Sequence, residues 1–202
     1  MAHYFDEKPD IESKPGLVMA RICGIDLQFV TDSDVFSKKY VDYGSRILLE
    51  TTVADLRKDG VKAGNMLDIG CGYGPIGITM KRAFPAMDVT MVDVNERALA
   101  LCKENATRNQ CAFVHIFASD GTSAVDAEMD VVLTNPPIRA GKATVFSFYE
   151  GAYAHMKTGA RLYVVIQKKQ GAASSQKKLE ELFGACEILA KEDGYWVIRA
   201  VK

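Results

Sequence analysis

No apolar run in the 202-residue chain approaches the roughly 20 residues that a membrane-spanning helix needs, which argues against an integral helical membrane protein. The opening Met1 to Asp10 stretch is polar and acidic and does not read as a signal peptide. Five cysteines (Cys23, Cys71, Cys102, Cys111, Cys186) are odd in number and scattered, and none forms a C-x-x-C pair. The three histidines do not cluster with them. That pattern excludes a disulfide framework and a structural zinc site, so we expect reduced thiols, no metal and a cytoplasmic location. Positive charge is also not in excess: 25 Lys and Arg stand against 26 Asp and Glu, a net charge of −1. A protein that grips naked nucleic acid through a broadly positive surface is therefore disfavoured. Local basic pairs exist at Arg139 with Lys142, Lys168 with Lys169 and Lys177 with Lys178, each most simply a solvated face. There is no internal repeat and no low-complexity segment.

What is present is a glycine-rich turn. Met66 to Ile69 reads as a short buried strand, followed by Gly70-Cys71-Gly72-Tyr73-Gly74 and an apolar helix entered through Pro75, Ile76 and Ile78. Alternating glycines let the backbone turn sharply and a ligand approach it closely. The helix start adds unpaired N–H groups and a positive dipole end. Gly72, Gly74 and Gly77 satisfy the dinucleotide spacing G-x-G-x-x-G, a weak signal by itself. Asp68 points to a different ligand: its carboxylate would repel a pyrophosphate and attract an ammonium group. A tight strand-to-helix turn that binds nothing is the third reading.

The rest of the chain supplies the frame. Residues 1–34 read as an N-terminal arm followed by a β-hairpin, Leu17 to Cys23 with Ile25 to Val30. A helix carrying Ile47, Leu48, Val53 and Leu56 on one face ends near Asp59-Gly60. From Asn65 the rhythm alternates. Strands are expected at Asp88 to Val94, Ala112 to Phe117, Met129 to Thr134 and Ala160 to Gln167. Helices are expected at Glu96 to Arg108, Lys142 to Met156 and Ser174 to Phe183. Cys186 to Ala190 and Tyr195 to Val201 should pair across the Asp193-Gly194 turn. This is an α/β chain with a Rossmann-like, doubly wound, mostly parallel sheet closed by an antiparallel C-terminal hairpin.

Three further positions fall at strand ends. Asp93 closes the second strand about 20 residues past the glycine turn, where a carboxylate accepts ribose hydroxyls from either kind of nucleotide cofactor; it also suits a cap before the next helix. Ser119-Asp120-Gly121 follows the third strand, where Asp120 can accept from an adenine amine or simply make a turn. Asn135-Pro136-Pro137-Ile138 follows the apolar Val131-Val132-Leu133, at the carboxyl edge where open α/β sheets bind ligands. Its prolines hold the preceding carbonyls rigidly. The Asn135 side-chain oxygen and the Pro136 carbonyl can then converge on one amino group. Two acceptors suit a planar exocyclic amine, and they turn its lone pair toward an electrophilic methyl. Such a site works by positioning and electrostatics.

Asp68, Gly70, Gly72 and Gly74 as D-x-G-x-G-x-G resemble motif I of the class I S-adenosylmethionine-dependent methyltransferases. Residues 35–169, with Val35-Phe36-Ser37, Asp42-Tyr43-Gly44-Ser45, Asp93, Asp120 and N-P-P-I, resemble more closely the small-domain methyltransferases related to bacterial small-subunit rRNA guanine-N2 methyltransferases. The resemblance implies a seven-stranded sheet with its last strand antiparallel, and makes residues 35–202 the methyltransferase domain. It implies S-adenosylmethionine held by Asp68, Gly70, Cys71, Gly72, Gly74, Asp93 and Asp120. It gives Asn135 and Pro136 the catalytic role on the target amine, and places Phe36 at the mouth. Pro137, Ile138, Arg139 and Lys142 would complete the substrate side. Two features depart from the pattern. There is no room in 202 residues for the second, degenerate N-terminal domain of larger relatives, and Ile138 stands where an aromatic is usual. Phe36, Tyr40 or Phe146 are candidates for the missing ring.

The leading expectation is methylation of guanine N2 in structured rRNA or the small ribosomal subunit, by a monomer or homodimer. Protein glutamine and adenine N6 are the alternative amines. An NAD-binding oxidoreductase is disfavoured by Asp68 and by Asn-Pro-Pro. A non-catalytic module is disfavoured by intact motifs at four successive strand ends.

Overall fold

The computed structural model describes residues 15–32 and 40–202. The N-terminal arm before Pro15 and the expected Phe36 site therefore lie outside the described residues. The chain begins with a hairpin, β1 (Gly16–Ile22) and β2 (Ile25–Thr31), joined by Cys23 and Gly24 at φ 52° and 77°. Two consecutive positive φ values give a turn whose twist matches that of the flanking strands. Alternation puts Val18, Ile22, Leu27 and Phe29 on one buried face.

The main sheet has seven strands: β3 (Ala63–Ile69), β4 (Ala86–Asp93), β5 (Val114–Ala118), β6 (Met129–Thr134), β7 (Met156–Gln167), β8 (Cys186–Glu192) and β9 (Tyr195–Val201). Their spatial order is β5-β4-β3-β6-β7-β9-β8. The pairs β3–β4, β4–β5, β3–β6 and β6–β7 are parallel, whereas β9 runs antiparallel to both neighbours. The hairpin does close the sheet, but its second strand is inserted between β7 and β8. The chain leaves β3 toward β4 and β5, then returns to β6 on the other side. The carboxyl ends of β3 and β6 are therefore the topological switch point, where this architecture opens a crevice.

Among the described residues, five α-helices cover the sheet: α1 (Tyr43–Lys58), α2 (Pro75–Ala83), α3 (Glu96–Arg108), α4 (Lys142–His155) and α5 (Ala172–Phe183). Strand β7 is the hydrophobic centre. Leu162 to Ile166 are all buried, with Tyr163 and Val165 in the core cluster shared with α1 and α2, and Leu162, Val164 and Ile166 in the cluster under α4 and α5. A strand covered on both faces reads as an unbroken apolar run, as this one does. It starts at Met156, earlier than the sequence suggests, because α4 stops at His155.

α1 is fastened to the sheet by charge as well as packing. Asp55 accepts from Arg199 Nη1 at 2.9 Å and from the Tyr163 hydroxyl at 2.6 Å, and Arg161 approaches it to 3.6 Å. These contacts hold the Asp55 carboxyl below its usual range despite its desolvation. The β1–β2 hairpin is held by two asparagines of α3 and its flank. Asn109 exchanges hydrogen bonds with the Gln28 backbone at 3.0 and 2.7 Å. Asn105 accepts from Val30 N at 2.7 Å and donates at 2.9 Å to both Val30 O and Tyr73 O, linking the hairpin to the glycine turn.

Candidate active site

The turn after β3 is built as its glycines suggest. Gly70, Gly72 and Gly74 all have positive φ, at 74°, 55° and 93°. The amides of Gly70 and Cys71 both donate to Val92 O at 2.9 Å, tying the turn to the end of β4. A side chain at Gly72 would meet nothing within 4 Å, so the backbone there lies open. Asp93 braces this loop: Oδ2 accepts from Gly72 N at 2.8 Å and Oδ1 from Asn95 N at 2.9 Å. Burial pushes the Asp93 pKa up, opposed by the backbone N–H groups of Asn95, Gly72 and Val94. Three amides leave about one of the carboxylate's roughly four lone-pair sites for a further donor.

Asp68 lies beneath the turn. It is fully buried, and its Oδ2 accepts from Gly77 N at 2.9 Å, capping the start of α2. Its Oδ1 is buried without a hydrogen-bond partner. Burial raises the carboxyl pKa to about 7; the Gly77 N–H lowers it, and Asp93 raises it further. Asp68 lines neither of the two cavities at the crevice, so its contribution there is made through α2 and the turn.

The cavities adjoin and share Gly70, Asn135 and Pro137. The smaller, about 280 Å³, is walled by Asp93, Val94, Ser119, Asp120, Gly121 and Phe148. Asp120 is exposed at its rim. Phe148 of α4 was not anticipated; it packs where a side chain on Gly70 would meet its ring at 3.2 Å. The larger, about 350 Å³, is walled on one side by Cys71, Gly72 and Asp42 and on the other by Pro136, Ile138 and Arg139. Gln167, Gln170 and Tyr195 line it as well, also unanticipated. Their signal in the sequence was position alone: they end β7, follow it, or start β9.

Asn135 stands at the fork. Thr134 Oγ1 donates to Ile69 O at 2.9 Å, stitching β6 to β3 just before it. Asn135 Nδ2 donates to Asp42 Oδ2 at 2.9 Å and to Ser45 Oγ at 3.0 Å. Asp42 Oδ2 also accepts from Ser45 N at 3.0 Å, as the N-cap of α1. A carboxylate can only accept, so the amide nitrogen must face Asp42 and the amide oxygen is turned away from it. Lys142 lines neither cavity, and its Nζ lies 5.0 Å above the Phe146 ring. Arg139 is exposed at the mouth of the larger cavity, and Lys168 and Lys169 are exposed on the turn between Gln167 and Gln170. Lys177 and Lys178 are instead paired with Glu181 and Glu150.

The family model described as Methyltransferase small domain matches residues 26–199. The chain belongs to this family, within the class I S-adenosylmethionine-dependent methyltransferases. It is 44% identical over 202 residues to "Uncharacterized protein YbxB" of Bacillus subtilis (strain 168), covering 99% of this chain and 98% of that protein. It is 32% identical over 180 residues to "Ribosomal RNA small subunit methyltransferase C" of Pseudomonas entomophila (strain L48), covering 87% of this chain and 51% of that protein. Among solved structures, a T. thermophilus 16S rRNA N2 methyltransferase (RsmC), in complex with AdoMet and guanosine, superposes with a TM-score of 0.85 at 28% identity. That match covers 96% of this chain and 52% of the other. The chain thus spans about half the length of these rRNA-methylating members of the family and nearly all of YbxB. Among the described residues, no helix is long and apolar enough to cross a membrane.

Proposed function

We propose that this chain transfers a methyl group from S-adenosylmethionine to the N2 amine of guanine in small-subunit rRNA. The observation that carries the reading is the Asn135 amide, oriented by Asp42 and Ser45 at the junction of two cavities. The smaller cavity fits the nucleoside part of the cofactor. Asp93 accepts from the ribose hydroxyls, Asp120 at the rim accepts from the adenine amine, and Phe148 offers an apolar wall. The open backbone of Gly72 leaves room for the rest, and Asp68 adds negative charge beneath the turn. The bound cofactor supplies an electrophilic methyl on a sulfonium.

The protein's part is to place the amine. Asn135 Oδ1 and the Pro136 carbonyl accept its two protons, which directs the nitrogen lone pair at the methyl. Both acceptors are neutral, so no base of high pKa is needed before attack; the proton leaves once methylation has acidified it. Positioning of this kind supplies a large share of a barrier reduction. Arg139, Lys168 and Lys169 around the larger cavity supply local phosphate contacts that a net charge of −1 cannot supply broadly. Recognition then rests on shape and an unstacked base, as is usual for RNA. The RNA-methylating relatives support this target, at about half their length. The test is transfer of labelled methyl to small subunits, naked rRNA and protein fractions from a strain lacking this gene, with mass-spectrometric mapping. Label at guanine N2 is expected; label on protein glutamine or adenine overturns the assignment.

A further inference from the structure

The larger cavity has Ile138 where an aromatic is usual, and of the rings expected to replace it the two among the described residues, Tyr40 and Phe146, do not line it. Phe146 lies under the ammonium groups of Lys142 and Lys178, at 5.0 and 5.6 Å, and lines neither cavity. Tyr40 is 66% exposed and lines neither. Phe36 is outside the described residues. Two tyrosines do line the larger cavity. Tyr73 belongs to the core, with its ring edge against Phe29 at 5.7 Å. Tyr195 is half-buried and at the start of β9.

Tyr195 is held in place before any ligand arrives. Its ring lies on the bare Cα of Gly44, where an added Cβ would come within 2.9 Å of Cε1. Tyr43 flanks it at 5.8 Å. Lys168 N donates to Gly194 O at 2.7 Å, pinning the tip of the β8–β9 hairpin to the end of β7. Gln167 is its partner in the antiparallel register. Directly opposed residues project from the same face with Cβ atoms about 4.5–5.5 Å apart. The Gln167 amide makes no hydrogen bond to any described residue, and it too lines the cavity.

We propose that Gln167 and Tyr195 form the base-reading wall of this cavity, with Tyr195 stacking on the guanine ring and Gln167 reading its edge. The inference rests on the guanine reading above and extends it to specificity. A primary amide presents an acceptor and a donor side by side. Guanine presents N1–H and O6 in the complementary order. With adenine's N6 amine held by Asn135 as the methyl acceptor, the edge left to the amide is N1 beside C2–H, which satisfies only the amide's donor. The planar ring and the donor–acceptor edge together select guanine over adenine, and both over a glutamine side chain, whose small amide plane covers far less of the tyrosine ring than a purine does.

The test uses the full chain. Methyl transfer to small subunits from a strain lacking this gene is measured for wild type, Tyr195→Leu, Tyr195→Phe and Gln167→Ala, with calorimetric binding of S-adenosylhomocysteine as a control. Tyr195→Leu should lose on the order of tenfold or more in kcat/KM, mainly through KM, because base stacking is lost. Tyr195→Phe should restore most of it, and cofactor binding should hold throughout. Gln167→Ala should raise KM several-fold and narrow the preference for guanosine over adenosine, measured by saturation-transfer NMR. Wild-type guanine methylation by both Tyr195→Leu and Gln167→Ala overturns this proposal and leaves the guanine reading standing. Label that wild type places on adenine or glutamine overturns both. Should Tyr195→Leu fail to bind cofactor, Gln167→Ala decides alone.

Discussion

Asn135 and Asp42 lie 93 residues apart in sequence and are joined by a 2.9 Å hydrogen bond from the Asn135 amide nitrogen to Asp42 Oδ2. One carboxylate oxygen thereby caps α1 and sets the direction of the amide. Removing Asp42 should do two separable things. Asp42→Ala should cost about 0.5–2 kcal/mol of stability through the lost cap and lower kcat by orders of magnitude. Asp42→Ser keeps a capping hydroxyl but is too short to hold Asn135; it should recover the stability and little of the kcat. Thermal melts and single-turnover rates separate the two, and an Asp42→Ser protein of normal rate would remove Asp42 from the positioning role.

Asn135→Ala should leave cofactor affinity nearly intact and lower turnover by orders of magnitude, since the side chain faces the amine. Calorimetry and methyl-transfer assays on the same preparation check this. Normal methyl transfer by the variant would refute the assignment.

Asp93 braces the loop and faces the cavity, so Asp93→Ala should weaken both. We expect a loss of about 1–3 kcal/mol in S-adenosylmethionine binding, with NAD binding far weaker than either. A lower melting temperature should accompany it, because the Gly72 and Asn95 amides lose their acceptor. Tighter binding of NAD than of S-adenosylmethionine would reverse the cofactor choice.

Asp68 predicts a pH dependence of the cofactor-free protein. Its carboxyl titrates near 7 when folded, against an ordinary 3.8. The native state therefore binds this proton more tightly than the unfolded chain does. The resulting stability is fully present below about pH 4 and is lost as pH rises through about 7. Asp68→Asn is neutral throughout. Wild type should lose on the order of 2–3 kcal/mol relative to the variant between pH 5 and pH 8. Urea midpoints at the two pH values measure it; parallel behaviour of the two proteins would show that Asp68 is ionised in the fold already at pH 5.

Lys168→Glu with Lys169→Glu should weaken substrate binding and leave cofactor binding unchanged. The slope of log affinity against log salt should become shallower by roughly 1–2. An unchanged slope would place the phosphate contacts elsewhere.

The sheet and its glycine turn were readable because buried parallel strands are apolar runs and because turns with positive φ select glycine. Strand edges were less so: α4 ends at His155 although nothing in its sequence stops it there, and β7 claims Met156 through burial. Asn135 and Pro136 could be picked out from a local motif. Asp42, Ser45, Phe148 and Tyr195 could be given no role at the crevice, since each reaches it from a distant element and is brought there by packing. The orientation of the Asn135 amide is likewise tertiary information: it depends on the carboxylate that caps α1, 93 residues earlier in the chain. Lys142 is near the motif in sequence yet lines neither cavity, its ammonium lying over the Phe146 ring.

The insertion of β9 between β7 and β8 imposes an order on biosynthesis. β7 emerges first and is lined with buried valine and isoleucine, yet its neighbour in the sheet is made only after β8. β8 has nothing to pair with meanwhile, since its partner is β9 itself. Until β9 is in place, β7 presents an open, apolar strand edge, the kind of edge that invites association with other chains. Closure of that edge and delivery of Tyr195 to the crevice are one event, so a chain that can bind its base is also one that has lost its sticky edge.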